Sequence, residues 1–387
     1  MADKKIVITG GGTAGHITPL IAVAKEIYAI EPNAKIIYIG QRGDRSESLV
    51  TGSDLPIEIK RIFAGKYRRY PSQGKLQKVF NIKRHILNVR DLLYFFFGFL
   101  QSLILIKKIN PDVVFMKGGY VGVPVGFASG VLGKKLITHD SDAIPGLANR
   151  LVSRFVSIHA VATDYNIYPK SKTIVTGIPV RQEYYDYSKK DGQTRAKKEL
   201  GFKNDDQILF VGGSTQGAKK IDDVIEQITP KLLNNFPKLH IIQVFGRLNE
   251  ASMKQRYSGL NDNLLTRLHT FEFLHDNYRY MTASDVLIGR AGATFIAEAG
   301  VLGSACIIIP APHLAGGHQV ENGLVLSQSG AAIVIEEKDL DGNTLYVTIE
   351  ELIKSKDKRR DLGQALKSLQ HTDSAKILAK IILGEKP

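Results

Sequence analysis

A single cysteine in 387 residues rules out a disulfide within the chain and fits a reducing compartment. That residue, Cys306, stands in Ala305-Cys306-Ile307-Ile308-Ile309, the pattern of a buried strand where a thiol serves packing. No apolar leader opens the sequence, and a glycine turn begins as early as Gly10, so secretion is not expected. The apolar run Leu92–Ile106 is 15 residues long and contains Gln101 and Ser102, short of the roughly 20 that a spanning helix needs. Charge excess is missing from the second half, where residues 181–387 hold 27 Lys and Arg against 26 Asp and Glu. Internal repeats are absent as well. What remains is a globular composition, 43% hydrophobic and 23% charged, in a chain long enough for two cores.

Residues 1–180, by contrast, carry 25 basic against 12 acidic groups, so nearly all of the net +14 is local. Most of it lies between Lys60 and Lys108, with 12 basic residues and one acid, Asp91. The stretch contains Arg68, Arg69, Lys83 and Arg84 and then runs into Leu92-Leu93-Tyr94-Phe95-Phe96-Phe97-Gly98-Phe99-Leu100. Two readings stay open. One is a buried core helix beside a solvated basic segment. The other is a surface docking on anionic lipid, with Arg68, Arg69, Lys83 and Arg84 on headgroups and Phe95, Phe96 and Phe97 in the apolar boundary. Nucleic acid is disfavoured, because no recognised binding motif accompanies the patch.

The chain opens on Lys5-Ile6-Val7-Ile8-Thr9, then Gly10-Gly11-Gly12-Thr13-Ala14-Gly15-His16, then an apolar helical pattern to Ile27. Glycines let backbone approach a ligand closely, and the first N–H groups of the following helix favour an anion. Further strands are expected at Lys35–Ile39, Asp112–Met116, Lys135–Thr138, Ser157–Ala162 and Thr173–Thr176. A second series starts with Gln207–Val211 and another glycine turn, Gly212–Gly217. It continues at His240–Phe245, Leu268–Phe273, Asp285–Ile288, Ala305–Ile309 and Ala331–Ile335. Strands alternating with helices predict an α/β protein of two Rossmann-like, doubly wound parallel sheets. The expected boundaries are 1–178, 179–360 and a helical tail at 361–387 that packs back on the first domain or stays apart. The loop Gly10–Gly15 fits G-x-G-x-x-G poorly and lacks an acid near 36–40, which argues against a dinucleotide oxidoreductase.

Six loops at expected strand ends carry the polar residues: Gly10–His16, Lys117–Pro124, His139-Asp140-Ser141-Asp142, Gly212–Gly217, Arg290–Thr294 and Pro310–Asn322. In this order they resemble the MurG family of cell-wall N-acetylglucosaminyltransferases (glycosyltransferase family 28), together with Pro145–Arg150, Gly177–Arg181 and His318-Gln319-Val320-Glu321-Asn322. The resemblance implies the GT-B fold, two Rossmann-like domains facing across a cleft. It implies inverting transfer of GlcNAc from UDP-GlcNAc to the muramoyl 4-hydroxyl of undecaprenyl-diphosphate-linked muramoyl-peptide. A polyprenyl-diphosphate acceptor, an anionic membrane surface and a peripheral position on the cytoplasmic face of the cell membrane follow from it. No tightly bound cofactor or protein-held metal is implied. A transferase acting on another lipid such as diacylglycerol, or a non-catalytic membrane-recruiting subunit, are the alternatives.

By the same resemblance His16 is the base, neutral imidazole being a proton acceptor near pH 7, or it only hydrogen-bonds acceptor diphosphate or backbone. Thr13, Ala14, Gly15, Asp142, Arg181, Ser214, Leu274, Ala293, Thr294, Glu298 and Gln319 are implied on the donor. Glu298 would take the ribose hydroxyls, Gln319 the sugar hydroxyls and Leu274 the uracil through its backbone. Gly11, Gly12, Gly118, Gly119 and Tyr120 are expected around the acceptor diphosphate. Three departures stand out. The family's His-Glu-Gln-Asn is here His139-Asp140-Ser141-Asp142, which trades two N–H donors for a negative charge. A small residue followed by Thr becomes Thr294-Phe295. The second glycine turn is one residue longer, so Ser214 and Thr215 compete for one role. Asp140-Ser141-Asp142 also spells a metal-binding D-x-D, a pattern that arises commonly by coincidence.

Overall fold

The computed structural model describes residues 4–66, 82–164, 167–212, 218–246, 256–312 and 317–386, without the side chains of Arg45 and residues 82–85. The chain divides into two compact units, Met1–Arg181 with His371–Pro387, and Gln182–Gln370.

In the first unit the apolar runs form β1 (Lys5–Thr9), β2 (Lys35–Gln41), β3 (Glu58–Ile62), β4 (Val113–Met116), β5 (Lys135–Asp140), β6 (Ile158–Val161) and β7 (Thr173–Val175). They pair in parallel in the order β3-β2-β1-β4-β5-β6-β7. The order reverses between β1 and β4, and in such sheets ligands bind beyond the carboxyl ends at that point. The glycine loops after β1 and after β4 are therefore neighbours. β3 was not expected. Its sequence, Glu58-Ile59-Lys60-Arg61-Ile62, is charged because it is an edge strand paired with β2 alone.

The second unit repeats this grammar with β8 (Gln207–Gly212), β9 (Leu239–Val244), β10 (Leu268–Phe271), β11 (Val286–Gly289), β12 (Ala305–Ile308) and β13 (Ile333–Val334). Their parallel order is β10-β9-β8-β11-β12-β13, with the switch between β8 and β11. Cys306, fully buried in β12, has its thiol pushed up to about 12 by burial, which leaves it inert.

The C-terminal tail is two helices. Lys356–Ser368 belongs to the second unit and Ser374–Leu383 to the first, separated at a left-handed Asp373. The polar His371-Thr372-Asp373 interrupts the apolar pattern there. Leu378, Ile381 and Ile382 then pack into the core of the first unit with Ile17, Leu20 and Ile27 of the Ala14–Ile30 helix. Each such fully buried side chain stabilises by about 1.5–3 kcal/mol.

Candidate active site

Beyond β1 the loop Gly10–Thr13 leads into the Ala14–Ile30 helix, which places His16 in its first turn. Tyr38 Oη holds the Gly10 carbonyl at 2.8 Å. The loop after β4 comes so close that Gly119, at φ +77°, has no room for a side chain: a Cβ would lie 2.7 Å from the Gly11 carbonyl oxygen and 3.1 Å from His16 Nδ1. His16 Nδ1 is 3.2 Å from both the Gly11 carbonyl and Thr13 Oγ1. A carbonyl only accepts, so Nδ1 carries the proton and Nε2 keeps its lone pair. Burial, then the Lys117 ammonium, push the imidazole down to about 4, against the carboxylates of Asp142 and Asp44 and the Gly11 bond. The ring is neutral at pH 7.

Gly12 N–H, expected to face a diphosphate, donates to Asp44 Oδ2 at 2.8 Å, and Asp44 Oδ1 takes Ser46 N–H at 2.9 Å. An anion on Gly12 has to displace this carboxylate. Tyr120 Oη donates to Gln41 at 2.6 Å, which ties the β4 loop to the end of β2. Gly118 (φ +103°) and Gly119 make that loop's turn.

The loop after β5 is built around Asp140. Its Oδ1 accepts Gly146 N–H and its Oδ2 accepts Tyr168 Oη, each at 2.9 Å. Both oxygens thus hold the loop together, an arrangement that does not offer Asp140-Ser141-Asp142 as an open pair of metal ligands. Asp142 is half-buried near Lys117 and His16, by the interactions it makes with both.

In the second unit the Arg290–Gly292 loop ends β11 and starts the Ala293–Leu302 helix, whose N-cap Gly292 supplies no side-chain cap. Ala293 and Thr294 open that helix at its N-terminus, where the first-turn N–H groups converge. Their positive field suits an anion. Arg290 is not a free phosphate ligand. Its guanidinium pairs with Glu337 and donates to the carbonyls of Ile309 and Pro310 at 3.3 and 3.5 Å. Asn322 Nδ2 holds the Ala291 carbonyl at 2.9 Å. Gln319, in the first turn of the His318–Gln328 helix, accepts Ala311 N–H on Oε1 at 2.9 Å, which fixes the amide and leaves its NH2 to donate. Glu298 is 8% exposed, a carboxylate held within the helix.

Phe295 turns into the core, 4% exposed, with its ring against Gly289. The change to Thr294-Phe295 therefore alters packing under the loop and puts no aromatic ring on the loop's ligand side. Leu274 follows β10 in a half-buried position. Arg181 closes the first unit. Ser214, Thr215, Arg68 and Arg69 lie outside the described residues, as do the side chains of Lys83 and Arg84.

The aromatic run lies on a helix, Ile82–Ile109, far longer than its apolar core. Its segment Ile86–Ile109 has the length and composition to cross a membrane, but one side is committed to protein. A Cβ on Gly98 would stand 1.9 Å from the Phe63 carbonyl oxygen, and Gln101 accepts Phe63 N–H at 2.9 Å. Phe95, expected at the lipid boundary, instead points inward, its ring 6.0 Å from Phe127 and edge-on to it. Phe96 and Phe97 do point outward, 55% and 51% exposed. Ile86, Val89, Leu93, Leu100 and Ile104 share that side at helical spacing, so the outward apolar stripe extends well beyond the aromatic run.

Asp44 has no local motif in the sequence, and Asn322 closes the His318–Asn322 motif without a role of its own there. Each acts through a backbone group contributed by another loop.

Residues 6–161 match the glycosyltransferase family 28 N-terminal domain and residues 207–378 its C-terminal domain. A Desulfitobacterium hafniense protein named UDP-N-acetylglucosamine–N-acetylmuramyl-(pentapeptide) pyrophosphoryl-undecaprenol N-acetylglucosamine transferase is 32% identical over 386 residues, 98% of each chain. The chain belongs to the MurG family. A Bacillus subtilis protein of the same name is 30% identical over 98% of each chain. Among solved structures, MurG of Acinetobacter baumannii matches with a TM-score of 0.68 at 20% identity, covering 98% of this chain and 99% of that one. A UDP-GlcNAc 2-epimerase from Neisseria meningitidis matches nearly as well, at 0.67 and 14% identity over 98% and 100%. The MurG family and such epimerases thus share one architecture, and the two parallel-sheet units are GT-B-like.

Proposed function

We propose that this chain transfers GlcNAc from UDP-GlcNAc to the muramoyl 4-hydroxyl of an undecaprenyl-diphosphate-linked muramoyl-peptide, with inversion at the anomeric carbon. The observation that carries the reading is full-length identity of about 30% to proteins named for that transfer. The site residues agree with it. Inverting transfer forms the new O–C1 bond as the C1–O bond to UDP breaks, and the acceptor hydroxyl gives up its proton. His16 has the free Nε2 lone pair to take that proton. The first turn of Ala293–Leu302, with Thr294, receives the negative charge that develops on the leaving diphosphate. Glu298 accepts the ribose hydroxyls, and Gln319, with its oxygen occupied by Ala311, donates its NH2 to the sugar. Asp142 and the Thr13–Gly15 turn border His16 on the sugar side, while Gly118, Gly119 and Tyr120 border the acceptor diphosphate. Gly11 and Gly12 join them once Asp44 moves aside.

The outward apolar face of Ile82–Ile109 rests on the cytoplasmic surface of the membrane, where the lipid acceptor is held. Its inner side is fixed to the sheet domain, so the helix lies along the boundary and does not span it. The test is a panel of UDP-sugars offered with the lipid-linked muramoyl-peptide or with diacylglycerol, with products identified by mass. A product heavier than the muramoyl acceptor by one GlcNAc residue supports the assignment. No transfer from UDP-GlcNAc to that acceptor overturns it.

A further inference from the structure

The backbone ladder between β11 and β12 stops at the Ile309 N–H, which donates to the Gly289 carbonyl at 2.9 Å. The next residue is Pro310, which has no N–H to extend it. Beyond that point side chains hold the loops of the second unit. Arg290, buried just past β11, donates from one guanidinium nitrogen to the carbonyls of Ile309 and Pro310 at 3.3 and 3.5 Å and pairs with Glu337 after β13. Glu337 is itself held, because Lys220 donates to its carbonyl. One buried cation therefore pins the ends of three strands.

The same loops are tied a second time, from the His318–Gln328 helix. Gln319 and Asn322 are three residues apart and so share one face of it. Gln319 Oε1 accepts the Ala311 N–H and Asn322 Nδ2 donates to the Ala291 carbonyl, each at 2.9 Å. Gly323 lets the helix sit close, since a Cβ there would stand 2.7 Å from Pro310 Cγ. The bonds run from Arg290 to Pro310, along the chain to Ala311, across to Gln319, one helical turn on to Asn322, and back through Ala291 to Arg290. The circuit is closed. Arg290 and Asn322 are each 8% exposed, so water competes little for their bonds.

We propose that Arg290 and Asn322 are positioning residues for the donor, closing a circuit that fixes the spacing between the start of the Ala293–Leu302 helix and the Gln319 amide. Diphosphate and sugar are then gripped at a set separation. Ala291 leads into that helix, so Arg290 and Asn322 hold the diphosphate end, while Ala311 orients Gln319 at the sugar end. With both ends tied before the ligand arrives, less ordering remains to be done on binding. UDP alone uses the diphosphate end and does not depend on the spacing. A side chain serving stability alone would, when replaced, weaken UDP and UDP-GlcNAc alike.

The inference rests on the diphosphate and sugar roles proposed above, and the experiment separates the two. Isothermal titration calorimetry on the full chain gives Kd for UDP and for UDP-GlcNAc in the wild type, Gln319→Ala, Arg290→Met, Asn322→Ala, and each of the last two combined with Gln319→Ala. Gln319→Ala tests the sugar role and should raise Kd for UDP-GlcNAc about tenfold with UDP unchanged. Arg290→Met and Asn322→Ala are each expected to show the same split between the two ligands. Added to Gln319→Ala, either should weaken UDP-GlcNAc by less than about twofold, because the sugar end is already lost. Equal weakening of UDP and UDP-GlcNAc, effects that multiply in the double variants, or no effect of Arg290→Met where Gln319→Ala has one, overturns the proposal. If Arg290→Met does not fold, Asn322→Ala decides by the same criteria. Unchanged UDP-GlcNAc binding in Gln319→Ala overturns the sugar role and the proposal with it.

Discussion

Replacing Phe96 and Phe97 together with serine separates a membrane-docking face from a merely exposed one. Fully covering a phenylalanine is worth about 1.5–3 kcal/mol. Both rings are a little over half exposed, so a lipid boundary can still gain roughly half of that from each. The pair is therefore worth about 1.5–3 kcal/mol, and at 1.4 kcal/mol per factor of ten the double variant should partition roughly 10- to 100-fold more weakly. Sedimentation with anionic vesicles measures the partition, and thermal unfolding followed by circular dichroism shows whether the fold is intact. Phe95→Ser is the control, since that ring packs on Phe127 and its loss should cost about 2–4 kcal/mol of stability with little change in partition per folded molecule. The exposed Lys107 and Lys108 on the same helix add an electrostatic part that weakens as salt rises. A change of less than threefold in the double variant, or a loss of stability matching Phe95→Ser, refutes the assignment of this face to lipid.

Four further outcomes rest on the same geometry. His16→Ala should lower turnover by roughly 10²- to 10⁴-fold while UDP affinity holds; a drop of a few-fold makes the imidazole a binding group. Gln319→Glu keeps the acceptor for Ala311 but loses both donors, so KM for UDP-GlcNAc should rise about tenfold with Tm little changed; an unchanged KM removes Gln319 from the sugar. Asp44→Ala frees the Gly12 N–H, and KM for the lipid acceptor should fall, whereas a rise shows that the carboxylate itself serves the acceptor. Burial and Lys117 hold His139 well below 6.5, and burial and Lys172 hold the buried His159 down to about 4. The unfolded chain protonates both first, so this stabilisation is complete above pH 6.5 and falls by roughly 2–3 kcal/mol per unit as pH drops toward 4. Urea midpoints that stay level between pH 6.5 and 4.5 would contradict it.

Much of the fold was legible because parallel strands buried on both faces read as continuous apolar runs. Lys5–Thr9 and Ala305–Ile308 are of that kind, and the ends of β1 and β8, where the glycine runs begin in the sequence, fall at the switch points of their sheets. β3 was illegible for the opposite reason, since an edge strand carries Lys60 and Arg61 toward water. Phe95 was misplaced because three adjacent phenylalanines cannot all share one face of a helix, and sequence alone does not say which one turns inward. Asp44 and Lys117 were passed over because neither acts on a sequence neighbour. The first reaches back 32 residues to Gly12, and the second reaches 24 residues on to Ser141. A lysine ending an apolar strand within a glycine turn is nonetheless a signal, since a charge there must find a partner or change its state.

Architecture by itself does not choose the reaction, because an epimerase and a MurG structure match this chain almost equally well. The discriminating features have to be those that one chemistry needs and the other does not. A helix N-terminus that receives a diphosphate, the role proposed for Ala293, suits any enzyme of a UDP-sugar. An outward stripe from Ile86 to Ile104 does not, because large apolar groups exposed in a contiguous row favour self-association unless a surface covers them. A water-soluble substrate gives no reason to keep such a row, and a lipid-borne acceptor does. The choice between reactions therefore turns on the first unit, where the stripe and the free lone pair of His16 belong to one sheet domain.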